Sequence, residues 1–315
     1  MSNIIEFKDV GLRYAEKNVV SDLNFEIKRG EIFVLVGPSG GGKTSTLKMI
    51  NALVVPTDGF VYFEDKKIKD YDLQQLRLKI GYVLQQIALF PNMTVQQNIE
   101  LVPELVGWDK AKRHQRTDDL LNKVGLEADK YRDRYPNELS GGEQQRIGIL
   151  RAIAAEPDLI LMDEPFSALD PISRTALQDL ILDIHAELKT TIVFVTHDMN
   201  EALKVGTRIA VVSDGAIVQL DSPEAIKSQP ANDFVRSFFG AATYESRQQR
   251  LTDLLTLSQL EQGQAPAAEG LSEKTTLTEL YEQLAKVDKV AIYGEAGNFL
   301  GNLTREAAFA FLAKN

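Results

Sequence analysis

The 315-residue sequence has no cysteine, one tryptophan, no long apolar run and no excess of basic residues. Without cysteine it can form neither disulfides nor thiolate metal sites, which fits a reducing compartment. Its strongest apolar runs, 32–36 and 159–162, fall far short of the ~20 residues a membrane-spanning helix needs. The start, Met1-Ser2-Asn3-Ile4-Ile5, is not a basic stretch followed by an apolar one, so no signal peptide is expected. Lys+Arg number 35 against 45 Asp+Glu, for a net charge of −10. That balance offers little to a phosphate backbone, and no nucleic-acid partner is expected. A hydrophobic fraction of 44% with 25% charged residues excludes a disordered or collagen-like chain, and the length suggests two domains.

Apolar and polar residues alternate over residues 3–30, as in Ile5-Glu6-Phe7-Lys8, which predicts half-exposed antiparallel strands. Four later runs, at 32–36, 159–162, 192–195 and 209–212, are continuously apolar and rich in β-branched side chains. Such runs suit strands buried on both faces of a parallel sheet. A helical pattern at 175–188 lies between two of them, so an α/β core is expected. Helical periodicity without a buried strand fills 95–155 and predicts a helical subdomain over about 86–155. The texture changes near residue 241. The reading there is a leucine-containing helix and a linker over 241–270, then a small α/β unit over 271–315. Within that unit helices are expected at 277–287 and 305–313, and strands at 290–293 and 299–303.

Gly37-Pro38-Ser39-Gly40-Gly41-Gly42-Lys43-Thr44 fits the P-loop pattern and follows a predicted buried strand. Glycines let successive backbone N–H groups turn inward around phosphate oxygens, and the helix beginning near Ser45 adds its positive end. Lys43 would reach the outer phosphates, and the Thr44 hydroxyl would ligate Mg²⁺. The run Leu159-Ile160-Leu161-Met162 ends in Asp163-Glu164. Asp163 is then expected at the exposed end of a buried strand, near the Mg²⁺, with Glu164 facing the γ-phosphate to orient or deprotonate water.

Leu139-Ser140-Gly141-Gly142-Glu143-Gln144-Gln145-Arg146, in order with those two motifs, resembles the signature of ATP-binding-cassette (ABC) ATPases. The resemblance covers residues 1–240. It implies an α/β, P-loop ABC-type nucleotide-binding domain with a parallel core sheet, an antiparallel β-subdomain and a helical subdomain, using ATP and Mg²⁺. It implies further that Tyr14 stacks on adenine, although Tyr14 also reads as a plain strand aromatic. Gln85, favoured over Gln86 by the alignment of Tyr82-Val83-Leu84-Gln85, would contact Mg²⁺ and water. His197 would contact the γ-phosphate, and Asp170 would communicate across a dimer. Ser140, Gly141 and Gly142 would bind the ATP of the opposite subunit, so a head-to-tail pair of chains is implied. Glu143 stands where many relatives have glutamine.

Thr46-Leu47-Lys48-Met49-Ile50-Asn51, the stretch from Gly81 to Thr94 and Val102-Pro103-Glu104-Leu105-Val106-Gly107-Trp108 are similar to the ATPase subunits of osmoprotectant importers. That likeness implies transport of glycine betaine, carnitine or choline with membrane permease subunits and, indirectly, a substrate-binding protein. It places the chain peripherally on the cytoplasmic face of the cell membrane. An amino-acid or polyamine importer, or a soluble non-transport ABC ATPase, are the competing readings. The tail resembles a single cystathionine-β-synthase-type (CBS) module through Gly294-Glu295-Ala296-Gly297 and Leu300-Gly301-Asn302-Leu303-Thr304-Arg305. The implied role is regulation through a paired copy, in response to ionic strength or an adenine dinucleotide, against a small cap that only aids dimerisation.

Overall fold

The alternating N-terminal stretch forms two long strands, β1 (Asn3–Tyr14) and β2 (Lys17–Lys28), paired antiparallel. They belong to a computed structural model that describes every residue except 1, 16, 86–87, 168, 170, 240–259, 261–269, 276, 295–296 and 313–315. The apolar run that follows is β3 (Ile32–Val36), buried along its whole length. After it come α1 (Lys43–Ile50), β4 (Asp58–Phe63), β5 (Lys66–Lys67), α2 (Leu73–Leu78) and β6 (Ile80–Val83). Strands β4 and β5 join the first two in a sheet of order β2-β1-β4-β5.

The helical stretch supplies α3 (Val95–Leu105), α4 (Lys110–Lys123), α5 (Ala128–Tyr131) and α6 (Gly141–Ile153). Buried Asn98 fixes the approach to α3: its amide donates to the Phe90, Met93 and Thr94 carbonyls and accepts from the Phe90 N–H. The chain then returns to the core through β7 (Leu159–Asp163), α7 (Pro171–Leu188), β8 (Thr191–Thr196), α8 (Met199–Val205), β9 (Arg208–Ser213), β10 (Ala216–Asp221) and α9 (Pro223–Ser228).

The second sheet has the order β10-β9-β3-β8-β7-β6, parallel except for the edge strand β10. All four predicted buried runs lie in it. The fifth parallel strand, β6, carries no comparable apolar run, because its four residues include Gly81. A Cβ at Gly81 would lie 2.3 Å from the Ala152 carbonyl oxygen, so glycine lets α6 approach the strand. Stacked rings tie the two sheets into one core: Phe7 on Phe25 at 4.4 Å and Phe25 on Phe33 at 5.4 Å between centroids. The parallel arrangement brings the C-terminal ends of β3, β6, β7 and β8 to one edge, where ligands of open α/β sheets bind.

The chain divides into two compact units, Met1–Arg236 and Ser237–Asn315. The second contains β11 (Leu271–Ser272), α10 (Leu277–Leu284), β12 (Lys289–Tyr293), β13 (Phe299–Thr304) and α11 (Arg305–Leu312). Its strands form a sheet of order β11-β12-β13 around Leu280, Leu284, Ile292 and Leu303. Most of the expected 241–270 helix and linker, and Glu295-Ala296 of the expected turn, lie outside the described residues. Among the described residues no helix is long and apolar enough to cross a membrane.

Candidate active site

The glycine turn leaves β3 with Gly37 so close to β9 that a Cβ would sit 2.0 Å from the Val212 carbonyl oxygen. It ends at Gly42, whose φ of +92° and contact with Val19 admit no side chain without strain. Gly40 has open space where a Cβ would point. Ser39, Gly40, Gly41, Gly42, Lys43, Thr44 and Ser45 therefore curl around a cavity of about 230 Å³ that also touches Val19 and Glu164. Pro38 is exposed at the entrance to the turn.

Lys43 is buried, and its ammonium donates to the Gly37 and Pro38 carbonyls at 2.7 Å each. Burial pulls its pKa below the ordinary lysine value, against the attraction of Glu164 and Asp163. The Thr44 hydroxyl donates to Asp163 Oδ1 at 2.8 Å. Asp163 stands at the end of β7 as expected, but its side chain is buried rather than exposed. Burial raises its pKa, and the Thr44 hydrogen bond opposes that rise. A hydroxyl and a carboxylate oxygen so close together are the hard donors that suit Mg²⁺, which takes one or two protein ligands beside phosphate oxygens.

Glu164 turns sharply out of β7 with φ +45° and its N–H bonded to the Val195 carbonyl at 3.0 Å. Its Oε2 accepts from Gln85 Nε2 at 3.1 Å and lies 3.2 Å from His197 Nδ1. Residues just beyond β6, β7 and β8 thus meet at one oxygen beside the glycine turn.

The remaining expected residues lie elsewhere. Tyr14 is 55% exposed at the end of β1 and does not line the cavity. Ser140 caps α6: its hydroxyl accepts from the Glu143 N–H, while Glu143 Oε2 accepts from the Ser140 N–H at 2.7 Å and from its hydroxyl at 2.8 Å. The Tyr131 hydroxyl donates to Glu143 at 2.6 Å and holds that carboxyl below its usual range. Gly141 and Gly142 follow in the first turn and do not line the cavity of the glycine turn. Asp170 lies outside the described residues.

A family model described as ABC transporter matches residues 20–167. The glycine betaine uptake system ATP-binding protein YehX of Escherichia coli is 46% identical over 237 residues, which make up 75% of this chain and 77% of that protein. The chain belongs to the ABC transporter ATP-binding proteins. This ABC protein is also 53% identical over 224 residues to the glycine betaine/carnitine/choline transport ATP-binding protein OpuCA of Bacillus subtilis. That match takes in 71% of the chain and 59% of the relative, so the chain spans about three-fifths of the relative's length. A solved dimeric ATP-binding cassette in a post-hydrolysis state, bound to ADP and Pi, superimposes with a TM-score of 0.63 at 34% identity. It covers 70% of this chain and 98% of its own. Sequence reasoning missed Asn98, which secures residues 90–94 ahead of α3. A lone asparagine in the first turn of a helix carries no signal of its own, because its four hydrogen bonds exist only once the loop has folded back.

Proposed function

We propose that this chain binds ATP and Mg²⁺ at the glycine turn and hydrolyses the ATP as one half of a head-to-tail dimer. The released energy would drive import of quaternary-amine osmoprotectants such as glycine betaine, carnitine and choline. The observation that carries this reading is the convergence of Gln85, Glu164 and His197 beside the hollow of Ser39–Ser45. In it, the backbone N–H groups of the turn and Lys43 bind the phosphates. Thr44, Asp163 and Gln85 would hold Mg²⁺, whose charge neutralises the phosphate oxygens. Glu164 takes a proton from the attacking water as its oxygen bonds to the γ-phosphorus and the bond to the ADP oxygen breaks. Gln85 keeps the Glu164 carboxylate turned toward that water, and His197 donates to a γ-phosphate oxygen. Tyr14 would stack on adenine. Ser140, Gly141 and Gly142 of a second copy would close the site, with Asp170 at the seam.

The substrate class is supported by the names of the relatives, which are transport proteins for glycine betaine, carnitine and choline. In this reading the chain sits peripherally on the cytoplasmic face of the membrane, with permease subunits and, indirectly, a substrate-binding protein as partners. The C-terminal unit acts as a CBS-type module that pairs with its copy and takes an adenine dinucleotide. The test is reconstitution in proteoliposomes with its permease. ATP turnover should rise when glycine betaine or carnitine is supplied with the binding protein. Stimulation by amino acids or polyamines alone would overturn the substrate assignment, and failure to associate with any permease would overturn the transport role.

A further inference from the structure

Behind His197, the turn between β8 and α8 is tied to the segment after Glu164 by a single ionic cluster. Arg174, in the first turn of α7, points its guanidinium at three targets. Nη2 donates to the Leu169 carbonyl at 3.3 Å, Nη1 lies 3.8 Å from Asp198 Oδ2, and Nε lies 3.8 Å from Glu201 Oε1. Glu201 is buried and accepts a hydrogen bond from the Thr196 hydroxyl. The Thr196 oxygen in turn accepts from the Asp198 N–H at 2.9 Å. His197 therefore hangs between two residues that are both held by the Arg174–Glu201 pair.

The same cluster reaches forward. A small cavity of about 40 Å³ runs from Glu164 and His197 in front to Arg174 and Glu201 behind, enough room for a water molecule. Arg174 Nε is buried without a hydrogen bond. Asp198 and Glu201 repel each other, and the guanidinium they share attracts both. A planar fork also moves its contacts together, so a shift at Leu169 is felt at Asp198 and Glu201.

We propose that Arg174 and Glu201 are positioning residues that hold His197 in register with Glu164 and link that register to the segment ending at Leu169. The pair touches no reacting atom. It acts through His197 and rests on the ATPase reading above. Misplacement of a reacting group by about 1 Å is enough to cost two orders of magnitude in rate.

The test uses the full chain with Arg174→Gln, Arg174→Lys and Glu201→Gln, scored by kcat, ATP affinity from a fluorescent analogue, and histidine-selective NMR. With three histidines in the chain, His114 and His185 serve as internal references. The expected result is a kcat about tenfold lower or more in Arg174→Gln and Glu201→Gln, with ATP affinity within twofold of wild type. The His197 resonance should move while the other two stay, and Arg174→Lys should recover part of the rate. A wild-type kcat in either glutamine variant overturns the proposal. So does a loss of rate matched by loss of ATP affinity, or by equal shifts of all three histidines, since both mark a general structural role. Wild-type protein without ATP turnover would instead sink the ATPase reading itself.

Discussion

His197 Nδ1 lies 3.2 Å from Glu164 Oε2, across the mouths of two adjacent parallel strands. The same oxygen accepts from Gln85 Nε2 at 3.1 Å. A carboxylate held from two sides has little freedom to rotate away from the glycine turn it faces.

Replacing Glu164 by glutamine keeps its shape and removes its basicity. The variant is expected to bind ATP within a few-fold of wild type and to lose at least a hundredfold in kcat. With MgATP it should elute as a dimer in size-exclusion chromatography. Turnover at the wild-type rate would remove Glu164 from the reaction.

Asp163→Asn takes away the charged oxygen beside Thr44 Oγ1. The Mg²⁺ concentration for half-maximal turnover should rise roughly tenfold or more. Thr44→Ser keeps the hydroxyl and should stay near wild type. Titrating Mg²⁺ at fixed ATP distinguishes the two, and identical curves for wild type and Asp163→Asn would refute the assignment.

Gly42→Ala places a Cβ 2.7 Å from the Val19 carbonyl oxygen at a φ of +92°. A destabilisation of about 1–3 kcal/mol is expected, measurable by urea unfolding of the chain. Gly40→Ala meets no atom within 4 Å, although its φ is +80°. It should cost less, and an equal cost at both positions would deny the role of the close contact.

Burial raises the Glu201 carboxyl pKa to about 7, well above the ordinary carboxylate value of 4.5. Between those values the folded chain binds more protons at this site than the unfolded chain, so acidification favours folding. The wild type should gain stability relative to Glu201→Gln as the pH falls from about 7 to 4.5, by up to about 3 kcal/mol. Paired unfolding curves at pH 7.5, 6 and 5 check it. A stability difference independent of pH would place the group in its ordinary range.

Reading the sequence was enough for whatever depends on local spacing or on composition along one strand. The glycine turn and Lys43 lie within eight consecutive residues, so their geometry is set by backbone torsions and the start of α1. Fully apolar runs such as 32–36 announce two-sided burial, because only a strand covered on both faces tolerates them. Tertiary structure decided the rest. Gln85 and His197 reach Glu164 across 79 and 33 residues of chain, and only the parallel order β8-β7-β6 puts their strand ends side by side. The burial of Asp163 and the Arg174–Glu201 cluster behind His197 follow from the same packing. No local pattern encodes them, since each depends on which helix covers which strand end once the core has closed.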